Sequence, residues 1–386
     1  MSDLPRDLVE EVLCRVPLTS LGTVRSICKK WNTLSKDPSF GKKHIAGRQA
    51  KLTTSSEREF MVIKMIKDMV YLMSVNLHNS DFESCIKREG KLNSQWLLDD
   101  VSQVFHCKGL LLCICEHGTT LIVWNPYLGQ TRLLEPRDKL HREDYTYALG
   151  YNNISKSYKI LRFINCHCPA FDEPVYDEPA YVEFKIYDIN TSSLRVLDIT
   201  PQDWWVRAYY SCCVSLKSNT YWFATEKYLN TRETLDSFLV CFDFTSETFG
   251  PHLPLPFEFG FYSAQDLILS SVREEKLAVL IRQQDTSMIE IWITTKIEPN
   301  AVSWSSKVFL AVDVSPFACS DWPFEVRGAS FFIDEEKKVA VVFVRSVAYI
   351  VGVDGTLKEV DLGGSTYPFC FPRPHLCSYV PSLMQL

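Results

Sequence analysis

The chain has 386 residues, 46% of them hydrophobic and 23% charged, with a formal net charge of −6. This is enough apolar material for one large domain and one small one, and it excludes wholesale disorder. Residues 1–50 carry nine Lys/Arg against five Asp/Glu, which leaves −10 on the remainder, a poor balance for gripping phosphates and so for binding nucleic acid.

The first residues mix acidic and basic side chains and contain no apolar h-region of the secretory kind. Apolar runs such as Val339 to Val344 fall far short of the ~20 residues that span a bilayer, so a cytosolic or nuclear location without a membrane partner is expected. In that compartment the 14 cysteines are expected as thiols packed like small hydrophobes.

Residues 1–48 read as a helical module. Asp3 is placed to cap a first helix, and Pro5 falls in its first turn, where a missing N–H costs nothing. Leu4, Leu8 and Val12 form one apolar stripe at helical spacing, and Val9, Leu13 and Val16 form a second beside it. Pro17 ends that helix, and Thr19 or Ser20 is placed to cap the next, which carries Leu21, Val24, Ile27 and Cys28. Trp31 and Leu34 follow on a third turn, and Asp37-Pro38 opens a last helix through Phe40 and Ile45. The short basic cluster Lys42-Lys43-His44 to Arg48 is read as a solvated helix face. Below ~40 residues a lone core is rarely sufficient, so the apolar surplus of this module points to a partner.

From about residue 57 the helical period gives way to short alternating or apolar runs bounded by turns, the pattern of an all-β domain. The runs repeat. "LIVWNPYLGQTRLLEP", "FKIYDINTSSLRVLDI", "FLVCFDFTSETFGPHLPLP", "IEIWITTKIEPNAVSWSSKVFL" and "AYIVGVDGTLKEVDL" are each preceded by another apolar strand. Trp124, Tyr187, Phe242, Trp292 and Val351 are corresponding positions, spaced 63, 55, 50 and 59 residues apart. That period suits four-stranded propeller blades with variable loops. Segment 60–92 is an incomplete unit that a strand from the tail near Cys377 to Leu386 could complete. The expected fold is therefore mainly β with a small α-helical N-terminal domain: a helical module at 1–48, then a β-propeller-like domain of about six blades at 49–386. An open array of β-sandwiches is the alternative.

The opening stretch resembles an F-box in Leu4-Pro5, Asp7-Leu8, Val12-Leu13, Val16-Pro17, Leu21, Val24-Arg25, Cys28-Lys29, Trp31-Asn32, Asp37-Pro38 and Phe40. Gly22, inside the second helix, departs from the pattern and costs about 1 kcal/mol relative to Ala. The rest resembles the F-box-associated, kelch-like region of plant F-box proteins in "VFHCKGLLLC", "WNPYLGQTR", "YALGYNN", "SYKILRF", "NTYWFA", "SSVREEKLAVL", "SFFIDEEKKVAVVF" and "CSYVPSL". The resemblance implies a non-catalytic specificity subunit of a Skp–cullin–F-box ubiquitin ligase. Its helices would dock on a Skp-type adaptor, joining it to a cullin–RING ligase, and its β domain would capture a target protein. The adaptor-binding candidates are Leu4, Pro5, Leu8, Val12, Leu21, Val24, Ile27 and Trp31, with a core role for part of the set as the alternative.

Aromatic and Arg residues in the loops entering the repeat units are the target-binding candidates: Trp204, Trp205, Arg207, Phe259, Phe261, Trp322, Phe324 and Arg327. The alternative for each is a seal between blades. The acidic stretch 169–181, with Asp172, Glu173, Asp177 and Glu178, is a second candidate and the stretch expected to be least ordered. No G-x-S-x-G elbow or H-E-x-x-H motif occurs, and pairs such as Glu335-Glu336 sit in hydrophilic turns, so no catalytic residue is expected. His106-Cys107 with Cys113, Cys115 and His117, and Cys166-His167-Cys168, lack the Cys-x₂₋₄-Cys spacing of structural zinc, so neither a metal nor a cofactor is expected.

Overall fold

In the computed structural model of the chain, residues 5–16, 21–54, 59–66, 69–77, 86–91, 101–115, 120–134, 145–163, 183–199, 203–206, 213–226, 237–257, 267–283, 286–315, 329–344, 346–362 and 376–386 are described. Four helices come first: α1 (Arg6–Cys14), α2 (Leu21–Ile27), α3 (Lys29–Ser35) and α4 (Pro38–Thr54). Pro5 is the N-cap of α1 and contributes no side-chain hydrogen bond. Cys28, expected as the last apolar residue of the second helix, instead caps α3, its Sγ accepting from the Trp31 N–H at 3.4 Å. Asp37 caps α4 by accepting from the Ser39 backbone N–H at 2.8 Å and from its hydroxyl at 2.7 Å. Pro38 then takes the first helical position. Helix α2 runs through Gly22 unbroken.

The strands among the described residues form six antiparallel sheets. The first holds β1 (Glu59–Ile66), β2 (Met69–Asn76) and β3 (Ile86–Lys91); the second holds β4 (Val101–Cys107), β5 (Leu110–Cys115), β6 (Leu121–Asn125) and β7 (Gln130–Leu134). The third is β8 (Thr146–Asn152), β9 (Ser157–Phe163), β10 (Phe184–Asp188) and β11 (Ser193–Val196). The fourth has β12 (Trp204–Val206) and β13 (Val214–Leu216) sharing one edge of β14 (Asn219–Glu226), then β15 (Ser237–Asp243), with β16 (Thr248–Phe249) and β17 (Leu253–Pro254) beyond it. The fifth has β18 (Leu267–Val272), β19 (Lys276–Arg282) and the long β20 (Met288–Glu298), whose two ends pair with β21 (Ala301–Trp304) and β22 (Leu310–Asp313). The sixth is β23 (Ser330–Asp334), β24 (Val339–Val344), β25 (Val347–Gly352) and β26 (Leu357–Asp361).

The expected repeat holds in register. Trp124, Tyr187, Phe242, Trp292 and Val351 all fall on the third strand of their sheets, β6, β10, β15, β20 and β25. The incomplete first unit gains its fourth strand from β27 (Leu376–Ser378), which pairs with β1, and the Tyr379 N–H donates to the Met61 carbonyl at 2.8 Å just beyond it.

Two compact units divide the chain: Met1–Val104 with Lys108–Pro136 and Ser378–Leu386, and Phe105–Cys107 with Arg137–Cys377. The helices therefore share a unit with the first two sheets, so this division does not fall at residue 48. Within the second unit the third to sixth sheets each bury both faces. On β14, Trp222 and Ala224 pack into a cluster with Phe163, Phe184 and Phe242, whereas Tyr221 and Phe223 pack oppositely with Leu269, Val279 and Leu239. On β19, Leu277 and Val279 belong to that second cluster, while Ala278 and Leu280 join Phe331, Ile333 and Val342 of the sixth sheet. A strand covered on both faces reads as a continuous apolar run, which is why "EKLAVLI" and "KKVAVVFV" do not alternate.

The hairpins share a turn. Asn125, Asn152, Asp188, Asp243 and Asp334 each end a strand with a side-chain Oδ1 that accepts backbone N–H groups two or three residues on. Four residues after each, the backbone enters the left-handed region, at Gly129, Lys156, Ser192, Glu247 and Lys338. Asp334, nearly fully buried, accepts from the N–H groups of Glu336 at 3.1 Å and Lys337 at 3.3 Å. Asp334→Ala is expected to destabilise the chain by about 1–3 kcal/mol, read as a lower urea midpoint, with Asp334→Asn recovering most of the loss because it keeps the acceptor.

Candidate docking surface

Helix α1 turns one stripe inward and one outward. Val9 and Leu13 are buried in one cluster with Leu34 of α3 and Phe40 of α4. Leu8 and Val12, one position away on the helix, are each 49% exposed. At about 100° per residue the Leu8–Val12 stripe lies a quarter turn or more from the Val9–Leu13 stripe, and the third and fourth helices cover only the latter. Ile27, at the end of α2, is 61% exposed, and Pro5 is also exposed.

Ion pairs hold α1 against α4. The Glu10 carboxylate accepts from Arg6 Nε at 3.1 Å and from Lys43 Nζ at 3.0 Å. Arg6 also reaches the Asp37 carboxylate at 2.9 Å, the same group that caps α4. Hydrogen bonds from Lys43 and Arg6 hold the Glu10 carboxyl below its ordinary range, and those from Ser39, then Arg6, do the same for Asp37. These pairs bridge α1 to the start of α4 beside the Val9–Leu13 cluster, with Arg6 and Lys43 largely exposed.

His44 departs from the expected solvated basic face, because it is buried. Its Nε2 lies 3.1 Å from the Val16 carbonyl, which can only accept, and in the neutral ring its Nδ1 accepts from the Tyr127 hydroxyl at 3.2 Å. Phe40 stacks on the same ring with centroids 5.7 Å apart. Lys42 and Lys43, by contrast, are exposed as expected.

The expected adaptor-binding residues thus separate. Pro5, Leu8, Val12 and Ile27 lie exposed on the module. Leu21 is fully buried and so belongs to the interior rather than to a free surface. Val24 and Trp31 are half-buried and pack against the Val9–Leu13–Phe40 cluster, leaving each only a partial face. Leu4 lies outside the described residues. Spacing alone could show two stripes on α1, but not which of them the third and fourth helices would cover.

Among the expected target-binding residues, Trp204 takes the place of a seal between units, the alternative given for each of them. It sits in β12, buried, with its ring edge-on to Phe249 at 5.0 Å. It seals the core between the third and fourth sheets, because a large apolar ring in an edge strand gains more from burial than from solvent. Trp205, its neighbour on the opposite face, is half-buried. Arg207, Phe259, Phe261, Trp322, Phe324 and Arg327 lie outside the described residues, as does the acidic stretch 169–181.

Of the candidate metal ligands, Cys107, Cys113 and Cys115 are buried in the second sheet. No group of three His, Cys, Asp or Glu side chains among the described residues is arranged to hold a metal ion. His117 and Cys166-His167-Cys168 lie outside the described residues. The His106 side chain is only 7% exposed, and burial pushes its pKa down to about 4. The Glu274 carboxylate stands 4.0 Å away, too far to offset the loss of water.

The chain is similar to known proteins over its whole length. The family model described as an F-box domain matches residues 1–43, and the one described as an F-box associated beta propeller domain matches residues 61–386. An F-box protein of Arabidopsis thaliana is 54% identical over 406 residues, covering 100% of both chains. A putative F-box protein of the same plant is 52% identical over 401 residues, covering 100% of this chain and 99% of its own. A third Arabidopsis thaliana protein, named F-box/kelch-repeat, is 49% identical over 407 residues and covers 100% of this chain and 99% of its own.

The neutral His106 makes stability depend on pH. Its folded pKa of about 4 lies below the ordinary 6.5, so between those values the unfolded chain binds a proton that the folded chain refuses. The stability it contributes is present above pH 6.5 and is lost as pH falls towards 4. From pH 7.5 to pH 5 the loss from this one group is about 2 kcal/mol. Urea midpoints at the two pH values should differ less in His106→Gln than in the wild type, by about that amount.

Proposed function

The chain belongs to the F-box proteins that carry an F-box-associated β-propeller domain, and from that premise we propose that it is the substrate-recognition subunit of a Skp–cullin–F-box ubiquitin ligase. In this reading the helical module docks on a Skp-type adaptor, which links it to a cullin–RING ligase, and the β domain captures a target protein. The chain itself performs no chemistry. It shortens the search between a ubiquitin-carrying enzyme and a target lysine by holding both in one assembly.

The observation that carries the reading is the uncovered stripe. Leu8, Val12 and Ile27 stay exposed although a helical core lies beside them. Helix α4 is tied to the second sheet through His44 and Tyr127, and that contact leaves Leu8 and Val12 uncovered. Each such side chain is worth ~1.5–3 kcal/mol when buried, so a partner that covers three of them gains enough to hold the module. Of the expected contacts, Pro5, Leu8, Val12 and Ile27 form the proposed docking face, with the accessible parts of Val24 and Trp31 at its border.

We propose a cytoplasmic or nuclear location. Target capture falls to the β domain, and neither a nucleic acid nor a membrane partner enters the proposal.

Co-purification of the full chain with a plant Skp-type adaptor tests the reading. Leu8→Asp and Ile27→Asp should each weaken capture by roughly a hundredfold, because each sets a carboxylate against an apolar partner surface. Both positions are exposed, so circular dichroism should show unchanged folding. A folded wild-type chain that fails to capture the adaptor would overturn the proposal.

A further inference from the structure

We propose that the segment Ser378–Leu386 is a clamp that fixes α4 to the second sheet, and thereby holds the docking face of the helical module in one orientation. All the contacts lie within one compact unit. Beyond β27 the segment leaves sheet pairing, yet its backbone remains bonded. Asn125, at the end of β6, donates its Nδ2 to the carbonyls of Ser382 at 3.0 Å and Met384 at 2.6 Å. The Leu386 N–H donates to Gln130 Oε1 at 3.0 Å. Side chains of the β6–β7 hairpin thus replace a strand partner, and the three bonds pin the segment to the second sheet.

Two glycines make room for it. At Gly109, which has φ +80°, an added Cβ would stand 2.4 Å from Ser382 Cβ and 2.6 Å from the Val380 carbonyl oxygen. At Gly41, in α4, it would stand 2.2 Å from Leu383 Cδ2. A glycine inside a helix costs about 1 kcal/mol relative to Ala, and here the space it leaves is filled by Leu383. The segment therefore bonds to the sheet and inserts a leucine into the helix.

A second tie runs in parallel. His44 lies three residues after Gly41 on α4 and bonds Tyr127 in the same β6–β7 hairpin. Arg25 of α2 reaches towards Gly129 of that hairpin and donates to Ser35 Oγ of α3 at 3.1 Å. One hairpin, Asn125 to Gln130, thus receives both the helical module and the C-terminal segment. The clamp rests on these contacts alone. Its consequence, a target held at a set position relative to the adaptor, rests on the adaptor reading above.

Two variants separate the clamp from general packing. Leu383→Ala empties the space at Gly41. Asn125→Asp keeps the Oδ1 that accepts from the Leu128 N–H but replaces the Nδ2 donor with an oxygen facing two carbonyls. Hydrogen exchange on the full chain should show the α4 amides exchanging about tenfold faster in both variants, with the amides of β5 and β14 unchanged. Adaptor capture should stay within about twofold of wild type, since neither residue lies on the docking face. Unchanged α4 protection in both variants would overturn the clamp. So would an equal loss across α4 and β5, which would make the segment ordinary core. Because exchange is read without the adaptor, a wild-type chain that captures no adaptor would sink the docking reading and leave this comparison standing.

Discussion

A nine-residue helix with apolar side chains at Leu8, Val9, Val12 and Leu13 can offer only part of its circumference to one core. In this chain Val9 and Leu13 win the contact with Leu34 and Phe40. The ion pairs from Glu10 to Arg6 and Lys43, and from Arg6 to Asp37, bridge the same two helices at the surface. Leu8 and Val12 are left outside, and Ile27 at the end of α2 is exposed as well. The proposed docking face is thus the remainder of a packing decision. A module this small cannot satisfy both stripes by itself.

The β domain meets the opposite condition. Its central strands have a neighbour on each face, so nothing apolar on β14 or β19 is spare. What varies from sheet to sheet is the periphery, where a strand splits, as at β12 and β13, or pairs twice, as β20 does. The shared Asx hairpin, with a left-handed residue four positions on, keeps the meander turning the same way while the rest of the sequence drifts. This separation suits a recognition protein, because a rigid repeated frame can carry divergent connections without losing its core.

The repeat was legible because it rests on local chemistry. Alternation, turn residues and strand length placed Trp124, Tyr187, Phe242, Trp292 and Val351 on equivalent strands, and an unfinished unit at 60–92 called for a strand from the other end of the chain, which β27 supplies. The start of α4 was legible for the same reason: Asp37 and Pro38 act on their nearest neighbours. Cys28 was misplaced because a thiol cap looks like any small hydrophobe.

Burial was harder to read, because it depends on what arrives from elsewhere. Trp204 looked like an exposed loop aromatic, yet Phe249, 45 positions later, encloses it. His44 looked like part of a basic face until Val16 and Tyr127 took both ring nitrogens. Leu21 has the same helical spacing as its neighbours and is fully buried all the same. The amino-acid sequence by itself determined the helical module, the repeated β units and their closing strand, since each follows from periodicity and short-range turn chemistry, and it carried the family resemblance in its motifs. Only the tertiary structure decided which stripe of α1 faces out, which aromatics seal the core and where residues 378–386 are held. Those outcomes depend on surfaces brought together from distant parts of the chain, and residue spacing carries no record of them.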